Sequence, residues 1–111
     1  MNADTNNFKA LNFVGALVVL VEHAKELIEL KNLGAASVNI LRAIGVSTYD
    51  DLKSMGSVQA YRRIKARGIN VSKVMLYALE GALLDIHWKA LEPDLKERLV
   101  EEAEAEDFSV S

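Results

Sequence analysis

Residues 30–56 read LKNLGAASVNILRAIGVSTYDDLKSMG, and this stretch decides the fold of the chain. It holds two units of the form Leu-x-x-hydrophobic-Gly, which end at Gly34 and Gly45 and are each followed by a helical pattern. Glycine and small residues at such a turn leave backbone N–H groups open to a phosphate oxygen. Any tight turn between two helices also needs glycine. The stretch therefore predicts short helices joined by tight turns, in the outline of a helix-hairpin-helix.

Helical signals continue in the following sequence. Thr48 and Asp51 form a capping pair for a third helix, and Ser57 and Ser72 stand where N-caps of the fourth and fifth helices are expected. The fifth helix is predicted to end at His87-Trp88, and a sixth to begin at Pro93. Since no alternation with a period of two residues extends over the length of a strand, we predict an all-α, compact bundle of five to six helices.

The N-terminal part, residues 1–29, is predicted to be an added helix that runs from about residue 7 to residue 30. Its most apolar stretch, residues 10–21, is shorter than the roughly 20 apolar residues of a membrane span, so we expect no membrane partner. This stretch is apolar nearly all round, which predicts a packing or dimerisation element. The residues expected to contact a second copy in a homodimer are Phe13, Leu17 and Leu20.

Charge is distributed unevenly along the 111 residues. Residues 31–91 carry nine basic and four acidic side chains, whereas residues 92–111 carry two basic and eight acidic ones. The basic middle permits contact with phosphate, and residues 101–111 are interpreted as an acidic tail. The chain has no cysteine, which excludes disulfides and thiolate chemistry and is compatible with the cytoplasm, where we expect the protein.

Further blocks extend the pattern of residues 30–56. They read GSVQAYRRIKARG (56–68), VSKVMLYALEGALLDIHW (71–88) and LEPDLKERL (91–99). In order and spacing, residues 30–99 resemble the C-terminal domain of the TfoX/Sxy competence-regulator family. The resemblance implies a helix-hairpin-helix or SAM-like bundle over residues 30–100, here without the family's N-terminal domain. It also implies a role in regulation, because full-length members regulate natural transformation together with a cyclic-AMP-dependent activator.

Two hypotheses about the function are compatible with the sequence. The first is a non-enzymatic interaction domain that binds a protein partner and itself. The second is a DNA-binding accessory domain, although this chain has Gly34-Ala35-Ala36-Ser37 where the family usually has Gly-Pro-Lys-Ser and so lacks that lysine. The basic residues of the fourth helix fit either a phosphate-binding strip or a solvated face. Candidate contact residues are Gly34, Ala35, Ser37, Gly45, Arg62, Arg63, Lys65 and Arg67.

Enzyme chemistry finds no support in the sequence. His23 and His87 lack the spacing of metal ligands, and no serine lies in a nucleophile motif. We therefore predict no catalytic residue, no metal and no cofactor. Glu80 lies within the apolar run 76–84, so its carboxylate is expected to need a structural partner. The candidate partners are Arg42, Arg62 and Arg63.

Overall fold

The computed structural model describes residues 26–105. Its five α-helices are α1 (Ala35–Ala43), α2 (Tyr49–Met55), α3 (Ser57–Ala66), α4 (Lys73–Leu84) and α5 (Pro93–Glu104). Two 3-10 helices, Leu27–Glu29 and Trp88–Ala90, complete the described part. The predicted all-α class is confirmed, since residues 26–105 contain no strand and only one isolated bridge, between Glu26 and Thr48. None of the described helices has the length and apolar character needed to cross a membrane.

Helix α3 lies at the centre of the bundle and packs against α1, α2, α4 and α5. The core is mainly aliphatic, with side chains contributed by every α-helix, and burying each large one contributes about 1.5–3 kcal/mol to folding. Its largest fully buried members are Leu27, Leu41, Val46, Leu52, Ile64, Leu76 and Leu79.

Most of the predicted helix ends are confirmed. Gly45 adopts a φ of +87° after α1, and the N–H of Val46 donates to the carbonyl of Leu41 at 2.9 Å, which closes a Schellman motif. Thr48 and Asp51 form the predicted reciprocal capping box of α2. The Ser72 hydroxyl accepts from the N–H of Val74, and Pro93 occupies the first turn of α5.

Two predicted helix boundaries, one near each end of the stretch 30–56, are wrong. The helix expected to continue to Leu30 is replaced by one 3-10 turn between extended residues Glu26 and Leu30, because Glu26 bridges to Thr48 and caps the turn with Glu29. The rest of that predicted helix lies outside the described residues. Ser57 is the first residue of α3 and does not cap it, because Gly56 holds the N-cap position and the Ser57 hydroxyl is bonded elsewhere.

The predicted end of α4 at His87-Trp88 is also wrong. The helix ends at Leu84, where Asp85 takes a left-handed conformation with a φ of +60° and the N–H of Ile86 donates back to the Gly81 carbonyl. The Asn32 side chain then binds the carbonyl of Ile86 and the N–H of Trp88. Because these backbone groups are engaged by a distant residue, they are no longer available to continue the helix.

Candidate functional site

An open groove of about 390 Å³ separates α1 from the first half of α4. Val74 projects from α4 into this region and is 42% exposed, which is unusual for a large aliphatic side chain in this bundle. We call this surface the α1–α4 groove. Its apolar walls are formed by Ile40, Val71, Val74, Met75, Ala78 and Trp88. Apolar surface that a small domain leaves open to solvent is typical of an interaction site.

The first predicted turn, at Gly34, lies at one end of this groove. Gly34 is the N-cap of α1, and no side chain caps the N–H groups of the first turn. Ala35 is exposed and Ser37 is half-buried, with Ser37 and Ala36 contributing to the lining of the groove. The groove therefore combines apolar walls with a set of backbone donors at one end.

Asn32 and Gly81 form a contact that positions the far wall of the groove. The Asn32 amide donates to the carbonyls of Ala78 and Ile86 at 3.3 and 3.0 Å, and its oxygen accepts from the N–H of Trp88 at 3.1 Å. Asn32 has a φ of +74°, a conformation that asparagine tolerates better than most residues. Gly81 leaves the space into which the amide fits. We call this arrangement the Asn32 clamp.

Trp88 is held from its other side by an aromatic and cationic group. Its ring stacks on Tyr77 with the centroids 6.1 Å apart. The ammonium of Lys96 lies 5.4 Å from the Trp88 centroid and 5.5 Å from that of Tyr77. These contacts and the Asn32 clamp together fix the indole as part of the groove wall.

The second predicted turn, at Gly45, has its backbone donors occupied. The N–H groups of Ser47 and Thr48 both donate to Oδ2 of Asp51, at 3.0 and 3.2 Å. The hydrogen bond from Ser47, followed by those from Thr48, lowers the pKa of Asp51 below its usual value. A phosphate that approached these amides would have to displace a carboxylate.

The basic residues of α3 do not form a single row. Arg62 and Lys65 line a cavity of about 610 Å³, together with Lys73 at the start of α4. Arg63 and Arg67 line a separate cavity of about 410 Å³ beside Gly45. The structure thus distributes the predicted contact residues over three places: the end of the α1–α4 groove, the Gly45 turn and the cavity beside Lys73. The predicted contacts Phe13, Leu17 and Leu20 lie outside the described residues.

Glu80 has a different partner from the arginines predicted for it. Its carboxylate accepts from the hydroxyl of Ser57 at 2.6 Å, and Ser57 is buried. In the sequence, the only sign of this long-range contact between α3 and α4 is a polar residue, Glu80, inside an apolar run. Within residues 26–105, no group of three or more histidine and carboxylate side chains is placed to hold a metal ion.

The Asp51 cap should make the stability of the fold depend on pH. Because its pKa is lowered in the folded state, the capping contribution is present above the ordinary aspartate pKa and is lost as the pH falls through the folded value. Asp51→Asn should therefore lower the unfolding midpoint at pH 7 and have a smaller effect in acid. Thermal unfolding at both pH values tests this, with Asp50→Asn on the same turn as the control. Equal losses for Asp51→Asn at both pH values would contradict it.

The chain is similar to known proteins in both sequence and structure. The family model described as TfoX C-terminal domain matches residues 23–103. A crystal structure of an uncharacterized protein from Listeria monocytogenes, in a triclinic form, is 37% identical with a TM-score of 0.65, over 68% of this chain and 86% of that chain. A tetragonal form from the same organism, described as a protein of unknown function, gives the same identity and TM-score over 68% of this chain and 94% of that chain. None of the curated proteins compared matches the chain.

Proposed function

The chain belongs to the TfoX C-terminal domain family, and on this premise we propose that it is a non-enzymatic regulatory domain that acts by binding proteins. The α1–α4 groove is the observation that carries the proposal. Its walls expose apolar side chains, whereas every buried side-chain nitrogen or oxygen among the described residues has a hydrogen-bond partner. The lining of the groove is mainly apolar, which suits an apolar protein segment.

The partner that we propose for this groove is a second copy of the chain. The stretch 10–21 of the sequence is almost wholly apolar and includes Phe13, Leu17 and Leu20. Such a stretch gains free energy when it is covered, at about 25 cal/mol per Å² of apolar surface. We propose that it inserts into the α1–α4 groove of a partner copy and that the protein self-associates as a dimer.

Two substitutions on the two sides of this contact should have the same effect. Leu17→Lys changes the inserting stretch, and Val74→Glu places a charge on the groove wall. Each should weaken dimerisation at least about tenfold, because a charge desolvated against an apolar surface costs more than about 1.4 kcal/mol. Sedimentation equilibrium over a range of concentrations measures the effect.

The control for this experiment is Leu84→Glu. Leu84 is 50% exposed and does not line the groove, so this variant should dimerise like the wild type. Circular dichroism checks that each variant is folded. A wild-type chain that is monomeric at its highest soluble concentration would contradict self-association. Dimerisation that survives Val74→Glu would contradict insertion into this groove.

DNA binding is the second candidate, and Arg63 and Arg67 beside the Gly45 turn are the observation in its favour. Guanidinium groups contact phosphates well, but the amides of this turn are already bonded to Asp51. Contact with DNA here would rest on side-chain charge, and its affinity would fall steeply with salt. Binding to duplex DNA that shows this salt dependence and is lost in Arg63→Ala with Arg67→Ala would favour the second candidate.

A further inference from the structure

A cavity of about 610 Å³ lies where the end of α3, the start of α4 and the end of α5 meet. Its lining carries three positive charges, on Arg62, Lys65 and Lys73, and one negative charge, on Glu104. We call it the basic cavity. Its volume falls within the range of about 300–1,000 Å³ that is typical of small-molecule sites. Because positive charge exceeds negative charge by two in the lining, the cavity favours a ligand with two negative charges.

The cations of the basic cavity keep donors for such a ligand. The Lys65 ammonium donates to the Val71 carbonyl at 3.1 Å, and the Lys73 ammonium pairs with Glu104 at 3.5 Å. Because an ammonium has three N–H groups, each lysine retains further donors. The guanidinium of Arg62 forms no ion pair with any residue of the described range. The positive charge of the cavity is thus only partly compensated by the residues that the structure describes.

A tyrosine in the wall of the basic cavity supplies a neutral donor. Tyr61 is only 7% exposed, yet its hydroxyl forms no hydrogen bond with another residue in the range 26–105. No buried side-chain oxygen in that range lacks a partner, so the Tyr61 hydroxyl must reach the surface. Among the three cavities described above, Tyr61 lines only the basic cavity. Its O–H group is therefore available to an anionic oxygen in this cavity.

The rest of the lining offers apolar surface. Ala66, Val71 and Ala103 contribute it, and none of the three is fully buried. Such surface favours contact with carbon atoms over contact with water. An anion attached to a carbon skeleton would therefore use both the charged and the apolar parts of the lining, whereas a free inorganic ion would use only the charged part.

We propose that the basic cavity binds a small phosphate monoester. A phosphate monoester carries nearly two negative charges at neutral pH, because its second pKa is about 6. Its oxygens contact the guanidinium of Arg62 and the two ammonium groups, and they accept from the Tyr61 hydroxyl. Its organic part lies on Val71 and Ala103. A phosphodiester carries only one negative charge, so it leaves part of the charge of the cavity uncompensated.

Titration of the ¹⁵N-labelled full-length chain with phenyl phosphate tests this proposal by NMR. At about pH 7.5, the amide resonances of Lys65, Ala66 and Lys73 should shift with a dissociation constant below about 1 mM. At about pH 5 the affinity should fall about tenfold, because the ligand then carries a single charge. Inorganic phosphate is the second probe. It should bind at least about threefold more weakly than phenyl phosphate, since it leaves the apolar part of the lining uncovered.

Four variants assign the binding to the residues of the basic cavity. Arg62→Gln should weaken the binding of phenyl phosphate at least about tenfold, because it removes charge-assisted hydrogen bonds. Tyr61→Phe keeps the ring in the core and removes only the donor, so the loss should be about threefold to tenfold. Glu104→Gln removes the negative charge of the lining and should strengthen binding about two- to fivefold. The matched control is Arg63→Gln, which lies beside Arg62 on α3 but lines a separate cavity. It should change the affinity by less than about twofold.

The same measurements name the results that would overturn the proposal. Absence of shifts at a phenyl phosphate concentration on the order of 10 mM would do so. Equal losses in Arg62→Gln and Arg63→Gln would mean that only the general charge of α3 attracts the ligand. Inorganic phosphate that binds as tightly as phenyl phosphate would indicate an ion site without an organic ligand. A short DNA duplex that shifts the same amides at lower concentration than phenyl phosphate would assign the cavity to nucleic acid.

Discussion

Replacing Gly81 with alanine is expected to destabilise the fold by about 3 kcal/mol, although the same change in an open helix is favourable by about 1 kcal/mol. The added Cβ would lie 2.5 Å from Nδ2 of Asn32, 2.7 Å from the carbonyl oxygen of Ile86 and 3.3 Å from Cα of Trp88. Two of these atoms belong to the backbone, and the third is held by two hydrogen bonds. The neighbours cannot move aside without breaking the Asn32 clamp.

The unfolding temperature measures this effect, and for a domain of this size a loss of 3 kcal/mol corresponds to a fall of about 15 °C. Trp88 is the only tryptophan of the chain, so its fluorescence also reports directly on the clamp. The control is Gly34→Ala, because a Cβ there meets nothing within 4 Å. Its cost should stay below about 1 kcal/mol, the scale of a change at an N-cap. An unchanged or raised unfolding temperature for Gly81→Ala would contradict the prediction.

A double-mutant cycle separates the clamp from general crowding. Asn32→Gly removes the amide and accepts the φ of +74° without strain. In the Asn32→Gly background, the destabilisation caused by Gly81→Ala should be about 1 kcal/mol smaller, because the Asn32 amide, which is the group nearest to the added Cβ, is gone. The remaining cost comes from the Ile86 carbonyl. Additive losses would show that Gly81 and Asn32 act independently.

The features that sequence reasoning predicted well are those decided by neighbouring residues. The Gly45 turn, the Thr48–Asp51 capping box and the position of Pro93 each depend on groups within about five residues of one another. Their geometry follows from backbone conformation and local hydrogen bonding. Periodicity was sufficient for the all-α class, since helices of this bundle bury regularly spaced aliphatic residues.

The features that sequence reasoning missed depend on residues far apart in the chain. Asn32 meets Ile86 and Trp88 across more than fifty residues, and Ser57 meets Glu80 across twenty-three. No local rule links such pairs, and each changed a predicted boundary or partner. The division of the α3 cations between two cavities likewise depends on where α1, α4 and α5 pack. A glycine inside the apolar helix α4 was the one local sign of close packing.

Replacing Asn32 with aspartate is expected to cost about 3 kcal/mol at neutral pH, although the two side chains have nearly the same shape. The asparagine amide donates to the carbonyls of Ala78 and Ile86. A carboxylate cannot donate, and it would bring a negative charge against both carbonyl oxygens. Aspartate tolerates the positive φ as asparagine does, so the loss reports the hydrogen bonds and the charge.

The cost of Asn32→Asp should depend on pH in a definite direction. Protonation restores one donor and removes the charge, so the folded state favours the protonated carboxyl and raises its pKa above the ordinary value of about 3.9. The stabilisation that comes from the protonated carboxyl is fully present below the ordinary pKa of about 3.9. It is lost as the pH rises through the raised folded pKa. The difference from the wild type should thus be smallest near pH 3.5 and largest at pH 7.

Urea unfolding at the two pH values, with the wild type measured at each, isolates this difference from other titrations. Asn39→Asp on the exposed face of α1 is the matched control and should change stability by no more than about 0.5 kcal/mol at either pH. A loss that is the same at both pH values would mean that the Asn32 amide is not a required donor. A loss of stability that grows with pH, together with an altered Trp88 fluorescence, would establish that the Asn32 amide holds the groove wall at Trp88 against α4. In that position the amide donates to the carbonyls of both Ala78 and Ile86.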